Sequence, residues 1–165
     1  MNVFCLVRHA KSSWKDPTLT DIQRPINSRG KRSIKLMGQW LMQQNIYAKA
    51  LYASPAKRAQ QTALGLAPFV QACKSDVITQ QQLYFHGARA ILECIKTTPE
   101  SFQSIVLVTH NPDITECFNL LHCDHLEHMP TCAVAIFCCT EPWFNFSSKC
   151  CHLQGYNVPK NILSE

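Results

Sequence analysis

The run at residues 104–109, S-I-V-L-V-T, limits what this chain can fold into more than any other stretch. Apolar, largely β-branched and without polar alternation, it has the pattern of a strand covered on both faces. Such a strand belongs at the centre of a sheet with helices on either side. The chain supplies the helices. Residues 2–7 read as a first strand, and residues 28–44 as a helix with Ile34, Met37, Trp40 and Leu41 at helical spacing. A short strand follows at 49–53 and a helix from Pro55 to about Val70, then a strand at 76–79 and a helix at 87–96 with Ala90, Ile91, Cys94 and Ile95 facing inward. Ser54-Pro55 and Asn111-Pro112 both read as a capping residue followed by the proline favoured at a first helical position, the second opening a helix to about Leu121. Residues 131–139 and 144–153 are expected as late strands forming an antiparallel edge, and the tail from Pro159 as loosely held. The expected architecture is α/β, a three-layer α/β/α arrangement with a mostly parallel central sheet, in one domain over residues 1–165.

Composition narrows the function. With 46% apolar and 16% charged residues the chain is of ordinary globular type, and its net charge of +5 favours anionic partners only mildly. No zinc finger, RNA-recognition signature or heptad array is present, so nucleic acid is not expected as a partner. The apolar run at 3–7 is too short for a signal peptide, and the run at 132–139 too short to span a bilayer, so a cytoplasmic protein without membrane contact is expected. Ten cysteines in such a chain read as reduced, mostly core thiols. His122, Cys123, His125, His128 and Cys132 cluster, but without a C-x-x-C pair or H-E-x-x-H they read as loop and strand residues, and neither metal nor cofactor is expected.

Three strand ends carry the chemistry. Arg8-His9 follows the first strand, Ser54 with Arg58 the second, and His110-Asn111 the strand at 104–109. In a parallel sheet the ligand site lies outside the carboxyl ends of the strands, so these residues should converge. Two of the three places read as helix N-termini, which favour an anion. Arginine matches phosphoryl oxygens with paired donors, and histidine alone here combines a nitrogen nucleophile with a charge that switches near neutral pH. One histidine should accept a phosphoryl group while the arginines stabilise its oxygens, with Lys11, Ser12, Ser54 and Asn111 as further contacts to the substrate. Activity should fall at acid pH, because a protonated His9 has no lone pair. His86, His122, His125, His128 and His152 lack such placement and read as structural.

R-H-A at 8–10, within V-R-H-A-K-S-S-W, resembles the first signature of the histidine phosphatase superfamily, of phosphoglycerate mutase-like fold. S-P-A-K-R-A-Q-Q-T at 54–62 and T-H-N-P at 109–112 are similar to its second and third signatures, while R-P-I-N-S-R-G at 24–30 and L-Y at 83–84 resemble the small SixA-type phosphohistidine phosphatase branch. The resemblance implies that His9 is the phospho-acceptor, that Arg8 and Arg58 bind the phosphoryl group and that His110 stabilises the transferring oxygens. Gln82 stands where many relatives have a glutamate that serves as general acid; an amide has no proton to give, which favours an N–P substrate over a phosphomonoester. The implied activity is dephosphorylation of phosphohistidine on a phosphorelay protein. A small-molecule phosphomonoesterase or mutase, or a non-catalytic module that binds phosphate or a phosphoprotein, stays open.

Overall fold

The computed structural model describes residues 1–162. Six strands form one sheet in the order β3-β2-β4-β1-β5-β6: β1 Asn2–Arg8, β2 Ala50–Ala53, β3 Val77–Thr79, β4 Ser104–Thr109, β5 Val134–Cys139 and β6 Cys151–Asn157. The first four are mutually parallel, whereas β5 runs antiparallel to β1 and β6 antiparallel to β5. β4 lies between β2 and β1 with five of its six residues buried, as its apolar run predicts. The antiparallel element is thus a pair of strands.

Period-two alternation splits the core into two layers. Phe4, Leu6, Ile105 and Leu107 face α3 (Ala88–Lys96) and α4 (Asp113–Leu121), where Ile91, Ile95, Ile114 and Phe118 complete one cluster. Cys5, Val7, Val106 and Val108 face α1 (Ser28–Gln43) and α2 (Lys57–Leu66), against Ile34, Met37, Leu41, Ala59 and Leu66. Helices therefore cover both faces of the sheet, and the carboxyl ends of β2, β4 and β1 lie side by side.

Four expectations change. The helix predicted from Pro55 begins at Lys57, because Ala56 stays extended while the Ser54 hydroxyl oxygen accepts from both the Ala56 N–H and His110, and it ends in a 3-10 turn, Ala67–Val70. α4 begins at Asp113 without a side-chain cap, since the Asn111 amide and carbonyl bond Met129 and Thr115 instead. Residues 144–153 are not a single strand: Trp143 is fully buried, its indole N–H donates to the Phe102 carbonyl, and Phe146 packs edge-on against Phe4, which pulls this stretch into the core before β6 starts. The tail is held as far as Ile162 by a helical turn, α5 (Pro159–Ile162), that packs on the α1 side; its remainder lies outside the described residues. No described helix is long and apolar enough to cross a membrane.

Gly30 shows how tightly α1 meets the loop after β1. A Cβ built there would stand 2.4 Å from the Lys11 carbonyl oxygen, and neither backbone can retreat easily, since the same carbonyl accepts from Asn27 N–H and Asn27 caps α1 on Gly30. Gly30→Ala should cost about 1–3 kcal/mol of stability, read by denaturant unfolding, and lower phosphate affinity by displacing the loop. Wild-type stability in that variant would show that the loop yields.

Candidate active site

Backbone bonds fix the histidine after β1. His9 N–H donates to the Thr109 carbonyl, and Cys132 N–H donates to the Arg8 and His9 carbonyls. Ala10 N–H donates to Thr62 Oγ1, whose hydroxyl donates in turn to the Arg58 carbonyl, tying the loop to α2. The ring is fixed as well. His9 Nδ1 lies 2.8 Å from the Ala10 carbonyl, which only accepts, so Nδ1 carries the proton and Nε2 the lone pair. That lone pair faces Arg58 Nε at 3.3 Å.

His110 follows the same logic. Arg58 NH2 stands 3.3 Å from its Nδ1 and, being a donor, makes that nitrogen the acceptor; Nε2–H then donates to Ser54 Oγ at 2.7 Å. The two imidazole centroids are 4.9 Å apart. Arg58, 2% exposed and in the first turn of α2, is the hub, because its NH1 donates to the Asp21 carbonyl and its NH2 to Asp21 Oδ2. Asp21 also accepts from Arg24 through Oδ1 and from the Tyr84 hydroxyl through Oδ2. Burial pushes the Asp21 carboxyl up, but the bonds from Tyr84, Arg58 and Arg24 outweigh it and hold the group at about 2, so it stays ionised.

Electrostatics favour an anion here. Arg24 and Arg58 are buried and pair with Asp21, whereas half-buried Arg8 pairs with no carboxylate among the described residues. Arg8 NH1 donates to the Met129 carbonyl, while its buried Nε has no partner among the described residues. Burial, with the charges of Arg58, Arg8 and Arg24, lowers His9 to about 3; burial, His9 and Arg58 lower His110 to about 2. Both rings are neutral at pH 7. An unfolded chain takes up these protons below about 6.5 whereas the native one waits until about 3, so stability falls as pH drops through that window. Each histidine should cost roughly 2 kcal/mol near pH 5, visible as a falling unfolding midpoint that inorganic phosphate partly restores. A flat midpoint from pH 7 to 5 would contradict the charge balance. The acid loss of activity expected for His9 moves, in the ligand-free protein, to about pH 3.

His9, Arg58, His110 and Ser54 come together through hydrogen bonds, and the charge of Arg8 acts on both histidines. The other expected contacts lie differently. Lys11 is exposed; the buried Ser12 hydroxyl accepts from Arg24; the Asn111 amide donates to Met129 O. The first turn of α4 holds its own acids, Asp113 and Glu116, which already answer its dipole, so of the two helix N-termini expected at the site only that of α2 lacks an acid in its first turn. Sequence reasoning missed Asp21, Arg24, Tyr84 and Thr62 as members of the site; the D-x-x-R spacing at 21–24 was the available signal. His128, set aside as a loop residue, reaches Arg8 NH1 with Nε2 at 2.8 Å and Asn111 Nδ2 with Nδ1 at 3.0 Å. A neutral imidazole accepts through one nitrogen, so one approach is unsatisfied and Met129 O is the firmer anchor of Arg8. Cys132 is buried beneath the His9 loop with its thiol raised to about 12, and the ten cysteines are free thiols. Among the described residues, His122, Cys123 and Asp124 form a close ligand-type group, on the loop after α4.

The model of the histidine phosphatase superfamily (branch 1) matches residues 4–84, the stretch that holds Arg8, His9, Asp21, Arg24 and Arg58. Over that stretch the chain is similar to the histidine phosphatase superfamily. Its fold is similar to that of the protein histidine phosphatase SixA complexed with tungstate, at TM-score 0.82 and 20% identity over 97% of this chain and 99% of the other. The SixA-type structure from Nakamurella multipartitia matches at TM-score 0.82 and 22% identity over 96% of each chain. The ecdysone phosphate phosphatase from Bombix mori, also solved with tungstate, matches at TM-score 0.65 and 13% identity over 94% of this chain and 92% of the other. An uncharacterised Mycobacterium tuberculosis protein is 26% identical over 93% of this chain and 100% of its own length.

Proposed function

We propose that this protein hydrolyses phosphohistidine on a partner protein through a phospho-His9 intermediate. The observation that carries the proposal is the His9 tautomer: its proton is committed to the Ala10 carbonyl, and its lone pair stands at Nε2 beside Arg58. Nε2 attacks phosphorus, the bond to the leaving nitrogen breaks, and the departing imidazole takes a proton. Water then attacks phospho-His9, releasing phosphate and restoring the ring. Arg58 and Arg8 stabilise the equatorial oxygens at both steps. Burial first and neighbouring positive charge second depress His110, and a bound dianion opposes the second of these, which favours a proton that the ring can donate to a phosphoryl oxygen.

The choice of an N–P substrate rests on the acid that the site lacks. Gln82 is an amide, and Asp21, the carboxyl bonded to Arg58, is held ionised. An alkoxide leaving group needs a proton from the enzyme, whereas a phosphohistidine nitrogen is protonated from water. SixA and tungstate in a structure of the same fold support the reading, as a phosphatase and as a tetrahedral-oxyanion site respectively.

Rapid acid quench of the protein mixed with a labelled phosphohistidine protein tests it. The expected product is an enzyme-bound phosphate that is acid-labile and alkali-stable. Turnover without any such species, or a preference for alkyl phosphates across a substrate panel, would overturn the proposal.

A further inference from the structure

We propose that Phe85 forms one wall of a leaving-group subsite, beside the phosphoryl site, that takes planar aromatic groups, imidazolyl or aryl. The inference rests on the reading of His9 and His110 as the phosphoryl site and names what lies next to it.

Phe85 sits where a bulky residue is least at ease. Its φ is +57°, in the left-handed region that favours glycine, and its neighbours hold it there. On one side, Thr109 Oγ1 donates to the Leu83 carbonyl; on the other, His86 Nδ1 donates to the Tyr84 carbonyl and Gly87 N–H to Asp113 Oδ2. The ring stands 4.8 Å from the His110 ring at an interplanar angle of 32°, and 4.7 Å from Tyr84. Even so, Phe85 remains 47% exposed. An aromatic side chain in a disfavoured conformation, half in water and stacked beside a buried site histidine, has an unfilled apolar face.

The surroundings agree on what fills it. Ile22, next to Asp21, and Trp14, whose ring lies 3.5 Å from the Arg24 guanidinium, are both exposed around the same carboxylate hub. The polar groups close to Phe85 are already engaged: the Tyr84 hydroxyl donates to Asp21, and His110 Nε2 donates to Ser54. A hydroxyl-rich leaving group would lose water here without finding replacement partners. A flat ring loses little and gains an offset-stacked contact. Aromatic leaving groups are also those that depart without an enzyme acid, which fits a site whose Gln82 offers none.

Phosphonates, which cannot be hydrolysed, test the subsite apart from catalysis. Phenylphosphonate should bind the wild-type protein about five-fold more tightly than methylphosphonate, by calorimetry. Phe85→Ala should bring that ratio near one while methylphosphonate affinity stays within about two-fold, and Phe85→Trp should restore it. A wild-type ratio near one overturns the proposal, as does an equal loss of both probes in Phe85→Ala, which would mean that Phe85 only shields His110. Failure of the phospho-His9 reading shows separately, as absent labelling, and leaves the phosphonate ratio readable.

Discussion

His9→Ala should abolish turnover, by about four orders of magnitude or more, while the fold and oxyanion binding persist. The ring makes two hydrogen bonds, one to Ala10 O and one from Arg58 Nε, so its removal leaves one buried donor poorly paired, at a cost of about 1 kcal/mol. Tungstate titration, followed by the rise in unfolding midpoint, should still show binding through Arg8 and Arg58. An active His9→Ala protein would place the nucleophile elsewhere. An inactive one that no longer binds tungstate would leave the chemical role of the ring undecided, and His9→Asn, closer in shape and polarity, then separates binding from attack.

Arg58→Lys carries the second large effect. The guanidinium reaches His9, His110, the Asp21 carbonyl and the Asp21 carboxylate at once, a span that one ammonium cannot reproduce. Activity should fall about 100- to 1,000-fold, the range for losing an oriented donor to the transition state, although the charge is kept. Arg58→Ala should also change the pH profile. Arg58 is among the charges that depress both histidines, so without it the proton affinities of His9 and His110 rise and the acid limb moves up from about 3 toward the ordinary histidine range. A profile that keeps its shape in Arg58→Ala would mean that burial alone sets those affinities.

The parts of this molecule that were legible in the sequence are those that topology dictates. A run such as 104–109 has nowhere to go but the sheet centre, and once β2, β4 and β1 are parallel neighbours, the residues at their carboxyl ends meet. Ser54, Arg58, His9 and His110 met for that reason. What stayed hidden depends on how side chains share partners. Ser54 and Asn111 have the chemistry of caps, but the first is shared between the Ala56 N–H and His110 and the second is taken by Met129 and Thr115. Asp21 lies on a short 3-10 turn without hydrophobic periodicity, and only the folded chain reveals that Arg24, Arg58 and Tyr84 all donate to it. His128 lay in a polar stretch that local pattern assigned to solvent, yet it borders Arg8.

The central claim concerns one nitrogen atom, and the site of phosphate attachment tests it most directly. The acid-quenched phosphoenzyme, digested at alkaline pH and examined by mass spectrometry and phosphorus NMR, should carry a single phosphate on His9, bonded at Nε2. Phosphate at Nδ1, at His110 or on any other residue would contradict the account.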